Sequence, residues 1–247
     1  MSYSAVRSDG VALYPAMTSS TEDRLSFLRK VYGLTFLGVL VFALSAALPL
    51  AGLALAIPGL QQIGELALGI HPLISFGVLV ASSFVVHMVS MRKYLNVIAL
   101  FLFAALWGFI TIPLLAYAVA VTGGVGVIFQ ALGLTTIVFG GLTAYVFITK
   151  KDFSFLGGFL MVGLFLLFGV IIISLVASLL GYGTPSALSY ALSIFAVILF
   201  SGYVLYDTSN ILHHYATDMV VPAALALMVD FIILFRNILY LLVSSRD

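Results

Sequence analysis

Cysteine is absent from the 247-residue sequence, which excludes disulfide bonds, thiol chemistry and thiolate metal sites. Charged residues are scarce, at 8% against about 25% in an ordinary soluble domain. So few charges cannot cover the surface of a chain that is 63% hydrophobic. The net charge of +1 leaves no basic patch for nucleic acid. The sequence therefore predicts an all-α integral membrane protein whose surroundings are the lipid bilayer.

Motifs that would indicate an enzyme are missing from the sequence. It contains no His-Glu-x-x-His pair of zinc ligands, no Gly-x-Ser-x motif of an intramembrane protease and no phosphate-binding loop after a strand. We therefore expect no catalytic activity, and no cofactor other than calcium held transiently.

Seven apolar runs are each long enough to cross a membrane as a helix, which takes about 20 residues. Their predicted bounds are 31–57, 72–91, 96–120, 126–148, 155–180, 187–210 and 219–243. Short connections make neighbouring helices antiparallel, and one connection, 58–71, has room for a short interfacial helix. The predicted organisation is a seven-helix transmembrane domain over residues 31–247.

The first thirty residues are polar, rich in serine and mixed in charge. They lack the apolar core and the cleavage site of a signal peptide. We interpret residues 1–30 as a flexible cytoplasmic tail. Within it, Ser20 is placed to cap a helix, with Asp23 three positions later.

Among the connections between spans, only alternate ones carry lysine or arginine. The tail and the second-to-third and fourth-to-fifth connections carry Arg24, Arg29, Lys30, Arg92, Lys93, Lys150 and Lys151. The connections 58–71, 121–126 and 181–186 carry no lysine or arginine. By the positive-inside rule the N-terminus is cytoplasmic.

Two carboxylates interrupt the last apolar runs, Asp207 in YVLYDTSNI and Asp230 in ALMVDFIILF. A charged aspartate at the centre of a membrane helix costs about 2.5–3.5 kcal/mol on insertion scales. Such residues usually face a partner, a cavity or a proton path. Because the seventh run also contains Arg236 and Asn237, it is the costliest to expose to lipid and belongs in the middle of the bundle.

Polar residues form a stripe on each of the last two predicted helices. The stripe on the sixth consists of Tyr203, Asp207, Asn210 and His214. The stripe on the seventh consists of Asp230, Asn237 and Ser244, spaced by seven residues and so about 20° apart per step. Two such stripes avoid lipid best by facing each other, which would bring Asp207 and Asp230 together.

Two adjacent carboxyl groups in a low dielectric do not both ionise easily, so the pair is expected to share a proton and to titrate in two coupled steps. Losing that proton would separate the helices or admit a cation. Calcium prefers oxygen ligands, but two carboxylates are too few for a tight site, which suits permeation or sensing. The structural alternatives are a hydrated helix end for Asp207, and for Asp230 a structural hydrogen bond or a salt bridge to Arg236.

The other polar residues near the pair have less specific interpretations. Tyr203, Asn210 and Asn237 are expected to support the acidic pair. Arg236 lies six positions after Asp230 and about 120° round the helix, so a salt bridge between them is not automatic. It can instead reach the interface or hold a carboxylate of another helix, and a structural role is favoured. His213 and His214 can sense pH, although adjacent histidines in a connection are usually just solvated.

Three stretches of the chain resemble a known family. KKDFSFLGG at 150–158, SGYVLYDTSNI at 201–211 and the terminal SSRD are similar to the bacterial YccA branch of the Bax inhibitor-1 (transmembrane Bax-inhibitor-motif) family. The resemblance covers almost the whole chain, including its hydrophobic runs and charge pattern. It implies a protein of the bacterial inner membrane with six helices surrounding a central C-terminal helix.

The resemblance also implies a function. It implies that an acidic pair between the sixth and seventh helices, here Asp207 and Asp230, is a pH-sensitive latch on a calcium leak path. Leak-channel members carry an arginine in the second helix that contacts the pair. This chain has none in the middle of that helix, and Arg236 is the substitute to test. The YccA branch associates with the membrane-bound ATP-dependent protease FtsH and restrains it, which implies an alternative role as an FtsH modulator with a purely structural acidic pair.

Overall fold

The structure is a computed structural model that describes residues 5–6, 12–13, 19–89, 95–182 and 186–246. The helices in this part of the chain are α1 (Thr21–Leu55), α2 (Leu60–Gly69), α3 (Pro72–Val89), α4 (Leu95–Thr122), α5 (Gly126–Thr149), α6 (Gly157–Leu179), α7 (Ser186–His213) and α8 (Val220–Ser244). A 3₁₀ turn, Ser154–Leu156, precedes α6, and two short strands, β1 (Ala5–Val6) and β2 (Ala12–Leu13), pair antiparallel near the N-terminus. The spanning architecture is all-helical, as predicted.

Helix α1 begins at Thr21, well before the predicted first span at residue 31. The Ser20 hydroxyl accepts a hydrogen bond from the backbone N–H of Asp23 at 3.1 Å and donates to its carboxylate at 2.6 Å. The predicted cap is therefore confirmed. It satisfies one of the N–H groups that a helix start leaves without a partner inside the helix.

The first turns of α1 pack on the bundle. Phe27 and Val31 are buried against residues at the end of α7 and the start of α8. Residues 21–30 thus belong to a continuous helix, and a boundary between tail and membrane domain at residue 30 falls inside it. Most of the chain before residue 19 lies outside the described part.

Six of the described helical segments are long and apolar enough to cross a membrane: α1, α4, α5, α6 with its preceding turn, α7 and α8. They correspond to six of the seven predicted spans. The second predicted span, 72–91, corresponds to α3, which is not one of the six, so the count of seven is not confirmed. The connection 58–71 contains the short helix α2, as predicted. Arg92 and Lys93 lie outside the described residues.

The outer surface of the helices is apolar. On α6, the side chains of Phe159, Phe165 and Ile173 are each more than two-thirds exposed. A contiguous surface of this kind marks contact with something other than water. The six apolar helices with this exterior describe a multi-pass membrane protein.

Helix α8 is the most buried of the six spans. In an apolar stretch of 18 residues, 56% of α8 is buried, compared with 17–39% for the same length of the other five. It packs against α1, α4, α5 and α7. The helix that carries Asp230 and Arg236 is therefore the one withdrawn furthest from lipid, as its insertion cost requires.

Contacts between connections show which helix ends lie together. The carbonyl of Lys150, after α5, contacts His213 at the end of α7, close to where α1 begins to pack on α7 and α8. This agrees with the predicted same-side grouping of the tail and these connections. At the opposite end, Arg246 donates to Gln130 near the start of α5 at 2.8 Å. Helix α8 therefore extends from one end of the bundle to the other.

Helices α1 and α4 approach each other closely at Gly108. A Cβ atom at this position would overlap the backbone carbonyl of Phe42 and the hydroxyl of Ser45, both on α1. Small residues permit this kind of backbone approach in membrane bundles. Gly108 therefore sets the spacing of the two helices.

Candidate functional site

Asp207 and Asp230 lie on α7 and α8, two antiparallel helices joined by the short connection 214–219. The helices pack directly against each other. Their two carboxyl groups lie within reach of each other, side chain to side chain. The structure thus brings together the acidic members of the two polar stripes.

The two members of the acidic pair differ in exposure: Asp230 is buried and Asp207 is partly exposed. Asp230 is only 2% exposed, and its Oδ2 atom has no hydrogen-bond partner among the described residues. A buried carboxylate oxygen without a partner is costly, so the group favours a proton or a cation beside it. Within the described ranges, no group of three or more histidine or acidic side chains is placed to hold a metal ion. With two carboxylates alone, the site suits weak cation binding.

Tyrosine rings lie around the pair. Tyr203 is near both carboxyl groups, and its ring meets that of Tyr206 edge-on, with centroids 6.3 Å apart. In the connection after α7, burial and then the negative charge of Asp207 raise the pKa of Tyr215 to about 12. The pair therefore lies toward the end of the bundle at which α7 and α8 are connected.

The contacts of the two asparagines in the stripes lie at their own helices, through the side chain of Asn237 and through the backbone of Asn210. Asn237 donates from Nδ2 to the carbonyl of Ile233 at 2.8 Å. The carbonyl of Asn210 accepts the backbone N–H groups of His214 and Tyr215 at 2.7 and 2.9 Å, where α7 ends. Neither of these contacts involves the acidic pair.

Arg236 is held by α4. Its Nη1 donates to the hydroxyl of Thr111 at 2.9 Å, and its guanidinium carbon lies 5.9 Å from the ring centroid of Trp107, a cation–π distance. In the described part of the chain it forms no ion pair with Asp230 or with another carboxylate. Of the roles considered for Arg236 from the sequence, the structure agrees with a structural one, in which the side chain links α8 to α4.

A buried group of hydroxyls was not indicated by the sequence pattern. The hydroxyl of Tyr32 on α1 lies within reach of those of Thr143 on α5 and Thr208 on α7. None of the three makes a hydrogen bond of regular geometry within the described residues. Thr208 directly follows Asp207, so this polar group adjoins the helix turn that carries the acidic pair. An isolated threonine in an apolar run does not indicate that its hydroxyl lies near other hydroxyl groups.

A second polar cluster, also missed, links the α5–α6 connection to the end of α7. The Ser209 hydroxyl accepts the backbone N–H of Phe153 at 2.8 Å and lies 3.4 Å from the carboxylate of Asp152. That carboxylate lies 3.1 Å from the ring of His214. Partial burial would raise the pKa of Asp152, but hydrogen bonds from Ser154 and the neighbouring His214 lower it to about 2. The sequence did contain a signal for these residues, because Asp152 and Ser209 belong to two of the blocks that carried the family resemblance.

Comparison with known proteins places the chain among relatives from bacteria, fungi and plants. Residues 24–247 match the family described as inhibitor of apoptosis-promoting Bax1. The chain is similar to Bax inhibitor 1 of Schizosaccharomyces pombe, at 33% identity over 234 residues, which cover 92% of this chain and 80% of that protein. It is similar to protein LIFEGUARD 2 of Arabidopsis thaliana, at 32% identity over 240 residues, covering 93% and 92% of the two chains.

A bacterial relative extends the comparison. A membrane protein of Vibrio cholerae is 33% identical over 198 residues, covering 78% of this chain and 85% of the relative. The family match includes α7 and α8 and so both members of the acidic pair. The chain therefore belongs to the Bax inhibitor-1 family.

Proposed function

We propose that the protein is a pH-sensitive calcium (cation) leak or sensor of the bacterial inner membrane, in which Asp207 and Asp230 form the ion-binding pair. The observation that carries this proposal is the burial of Asp230 on the most enclosed helix, in contact with Asp207 and with an oxygen that has no partner among the described residues. Placing two carboxyl groups in such surroundings costs free energy, which favours a role in which they bind protons or cations.

The pair would act as a latch between α7 and α8. With one proton shared, a hydrogen bond joins the two helices. When that proton leaves, two negative charges face each other in a low dielectric, which drives the helices apart or draws in a cation. Calcium favours carboxylate oxygens, and a site with only two of them releases its ion readily, as conduction requires.

The architecture that suits this role has six helices around a central α8, with the N-terminus in the cytoplasm. The large buried fraction of α8 and its packing against four helices support the central position. Basic residues at one end of the bundle, among them Arg29, Lys30 and Lys151, support the orientation through the positive-inside rule. The bacterial relatives and the YccA-like motifs support the inner membrane as its location.

Calcium flux into liposomes tests the proposal. Purified protein is reconstituted with an internal calcium dye, and the wild type is compared with Asp207→Asn and Asp230→Asn between pH 6 and 8. We expect wild-type flux to change with pH, and each variant to lose that dependence. Asp218→Asn, in the exposed connection between α7 and α8, is the matched control and should behave as the wild type. Equal, pH-independent flux from all four proteins would overturn the proposal.

A second candidate function is modulation of the protease FtsH, with the acidic pair purely structural. The observation that favours it is that the contact between Asp207 and Asp230 already joins two neighbouring helices, which is all that a structural role needs. Co-purification with the protease tests it. A deletion of residues 1–18 keeps the Ser20 cap and α1, so loss of the partner would be assigned to the tail. Retained binding would exclude residues 1–18 as the contact.

A further inference from the structure

The connection between α5 and α6 is fastened to the end of α7 by several polar contacts. The hydroxyl of Ser209 holds the backbone of Phe153 at 2.8 Å. The ring of His214 holds the carboxylate of Asp152 at 3.1 Å. A third fastening is made by His213, the last residue of α7.

Both ring nitrogens of His213 face backbone carbonyl oxygens. Nδ1 lies 2.8 Å from the carbonyl oxygen of Ser209, and Nε2 lies 3.2 Å from that of Lys150. A carbonyl oxygen only accepts hydrogen bonds, so each of these contacts needs an N–H on the ring. A neutral imidazole has one N–H and the imidazolium has two. Only the doubly protonated ring can make both bonds.

Helix capping explains just one of the two contacts. The carbonyl of Ser209 is one turn back in the same helix, and a histidine in the last turn often bonds such a group. The carbonyl of Lys150 is 63 positions away along the chain and belongs to another connection. Lys150 takes a left-handed conformation, with φ of 51°, which is uncommon for a residue other than glycine. The second contact is therefore a tertiary one.

The charged groups around His213 have mixed signs. Lys150 and Lys151 lie on the α5–α6 connection, and their charges oppose a third positive charge nearby. Asp152 on the same connection favours it, and the hydrogen bonds that Asp152 accepts keep its carboxylate ionised over the physiological range. His214 and Asp218 follow His213 in the chain, and Ser209 contributes a hydroxyl 3.5 Å from Nδ1. From the described part of α1, no charged side chain is recorded in contact with the ring.

We propose that His213 is a proton-operated clamp that holds the α5–α6 connection against the end of α7. When the ring carries two protons, it bonds both carbonyl groups. When it carries one, it keeps the shorter bond to Ser209 and loses the bond to Lys150. The clamp tightens as the pH on this side of the membrane falls. It acts on the helix that bears Asp207, six residues earlier, but it stands whether or not the acidic pair conducts ions.

Hydrogen–deuterium exchange of the full-length protein in nanodiscs tests the clamp. The readout is the exchange rate of the peptide over residues 150–156, for wild type and His213→Gln, at pH 6 and at pH 8. Comparing the two proteins at the same pH cancels the chemical dependence of exchange on pH. Loss of one hydrogen bond corresponds to about fivefold faster exchange in the variant at pH 6. At pH 8 the ratio should fall below about twofold, because the wild-type ring has lost the same bond.

Two controls separate the clamp from other effects. His214→Gln removes the neighbouring contact with Asp152 but leaves His213 in place, so adding His213→Gln to this variant should still speed exchange of residues 150–156 more at pH 6 than at pH 8. His71→Gln removes a histidine that precedes α3 at the opposite end of the bundle and should match the wild type at both pH values. The clamp would be overturned if the ratio of exchange rates of His213→Gln and wild type were identical at pH 6 and pH 8. It would also be overturned if the two proteins did not differ at either pH.

A second measurement uses the wild-type protein and requires no variant. The chain has four histidines, so spectra of protein labelled with ¹⁵N in histidine alone report the protonation of each ring. The clamp requires a ring with both nitrogens protonated at pH 6 whose resonances move together with exchange protection of residues 150–156. Four rings that all titrate without any change in that protection would refute it.

Discussion

Arg236 on α8 and Thr111 on α4 are joined by a hydrogen bond of 2.9 Å between Nη1 and Oγ1. Thr111 is fully buried, and the guanidinium also stacks over Trp107 one helical turn away on α4. The guanidinium is therefore satisfied by a hydroxyl and an aromatic ring, and not by the carboxylate that its charge would suggest.

Thr111→Val should lower the stability of the bundle by about 1–3 kcal/mol, because it leaves a buried charged donor without its acceptor. Denaturant unfolding in micelles, followed by circular dichroism, measures the change. Thr136→Val is the matched control, since that hydroxyl is exposed and bonds only the carbonyl of Leu132 in its own helix. The control should change stability by less than about 0.5 kcal/mol. Equal losses from both variants would contradict the role given to Arg236.

Asp230→Leu should fold at least as well as the wild type. The substitution removes a buried carboxyl group that has an oxygen without a partner among the described residues, and an apolar side chain lowers the cost of inserting α8. The measurement is the midpoint of thermal unfolding in detergent, with Asp230→Asn as the polar control of similar size. Complete loss of folded protein for Asp230→Leu alone would show that the contact with Asp207 is an obligatory structural bond.

Gly108→Ala should be strongly destabilising, because its Cβ would meet the backbone carbonyl of Phe42, which cannot rotate away. We expect a loss of about 1–3 kcal/mol, the range for overpacking a close contact. Gly133→Ala on α5 is the control, because a Cβ there meets nothing within 4 Å. Alanine is the better helix former, so the control should be neutral or slightly stabilising. The measurement is the unfolding midpoint of each variant compared with that of the wild type. A Gly108→Ala protein as stable as the wild type would show that α1 and α4 can move apart.

Asp152→Asn should destabilise the protein near neutral pH, with a difference from wild type that shrinks at acid pH. The pKa of this carboxyl falls to about 2 in the folded chain, below its value of about 3.9 in an unfolded one. Its contribution is therefore fully present above about pH 4 and is lost as the pH falls toward 2. The side chain is 44% exposed, so the difference should stay below about 1 kcal/mol. Unfolding midpoints at pH 6, 4 and 3 measure it, and a difference that grew on acidification would contradict the assignment.

The membrane helices could be predicted because lipid imposes a length and an apolar composition on each of them. The same criterion does not locate the start of α1, since residues 21–30 are polar and yet continue the helix. The Ser20 cap was the correct local signal. Hydropathy reports contact with lipid, whereas a cap reports where hydrogen bonding begins, and the two need not coincide.

The acidic pair was accessible from the sequence because helical spacing placed Asp207 and Asp230 on stripes that had to avoid lipid. The partners of Arg236 could not be predicted from the sequence. A stripe shows which face of a helix is polar, but it does not show which of the four neighbouring helices that face contacts. The link between Asp152 and Ser209 was missed for a related reason. It joins residues 57 positions apart. Both lie in blocks that carried the family resemblance, but neither block contains a pattern that shows it contacts the other.

Helix α1 has 35 residues and therefore extends over roughly 50 Å, about 20 Å more than the thickness of the hydrocarbon layer. Its polar first turns pack on the ends of α7 and α8 through Phe27 and Val31, and no break separates them from the apolar part of the helix. A displacement of this first segment would therefore be carried along one continuous helix toward the close contact with α4 at Gly108.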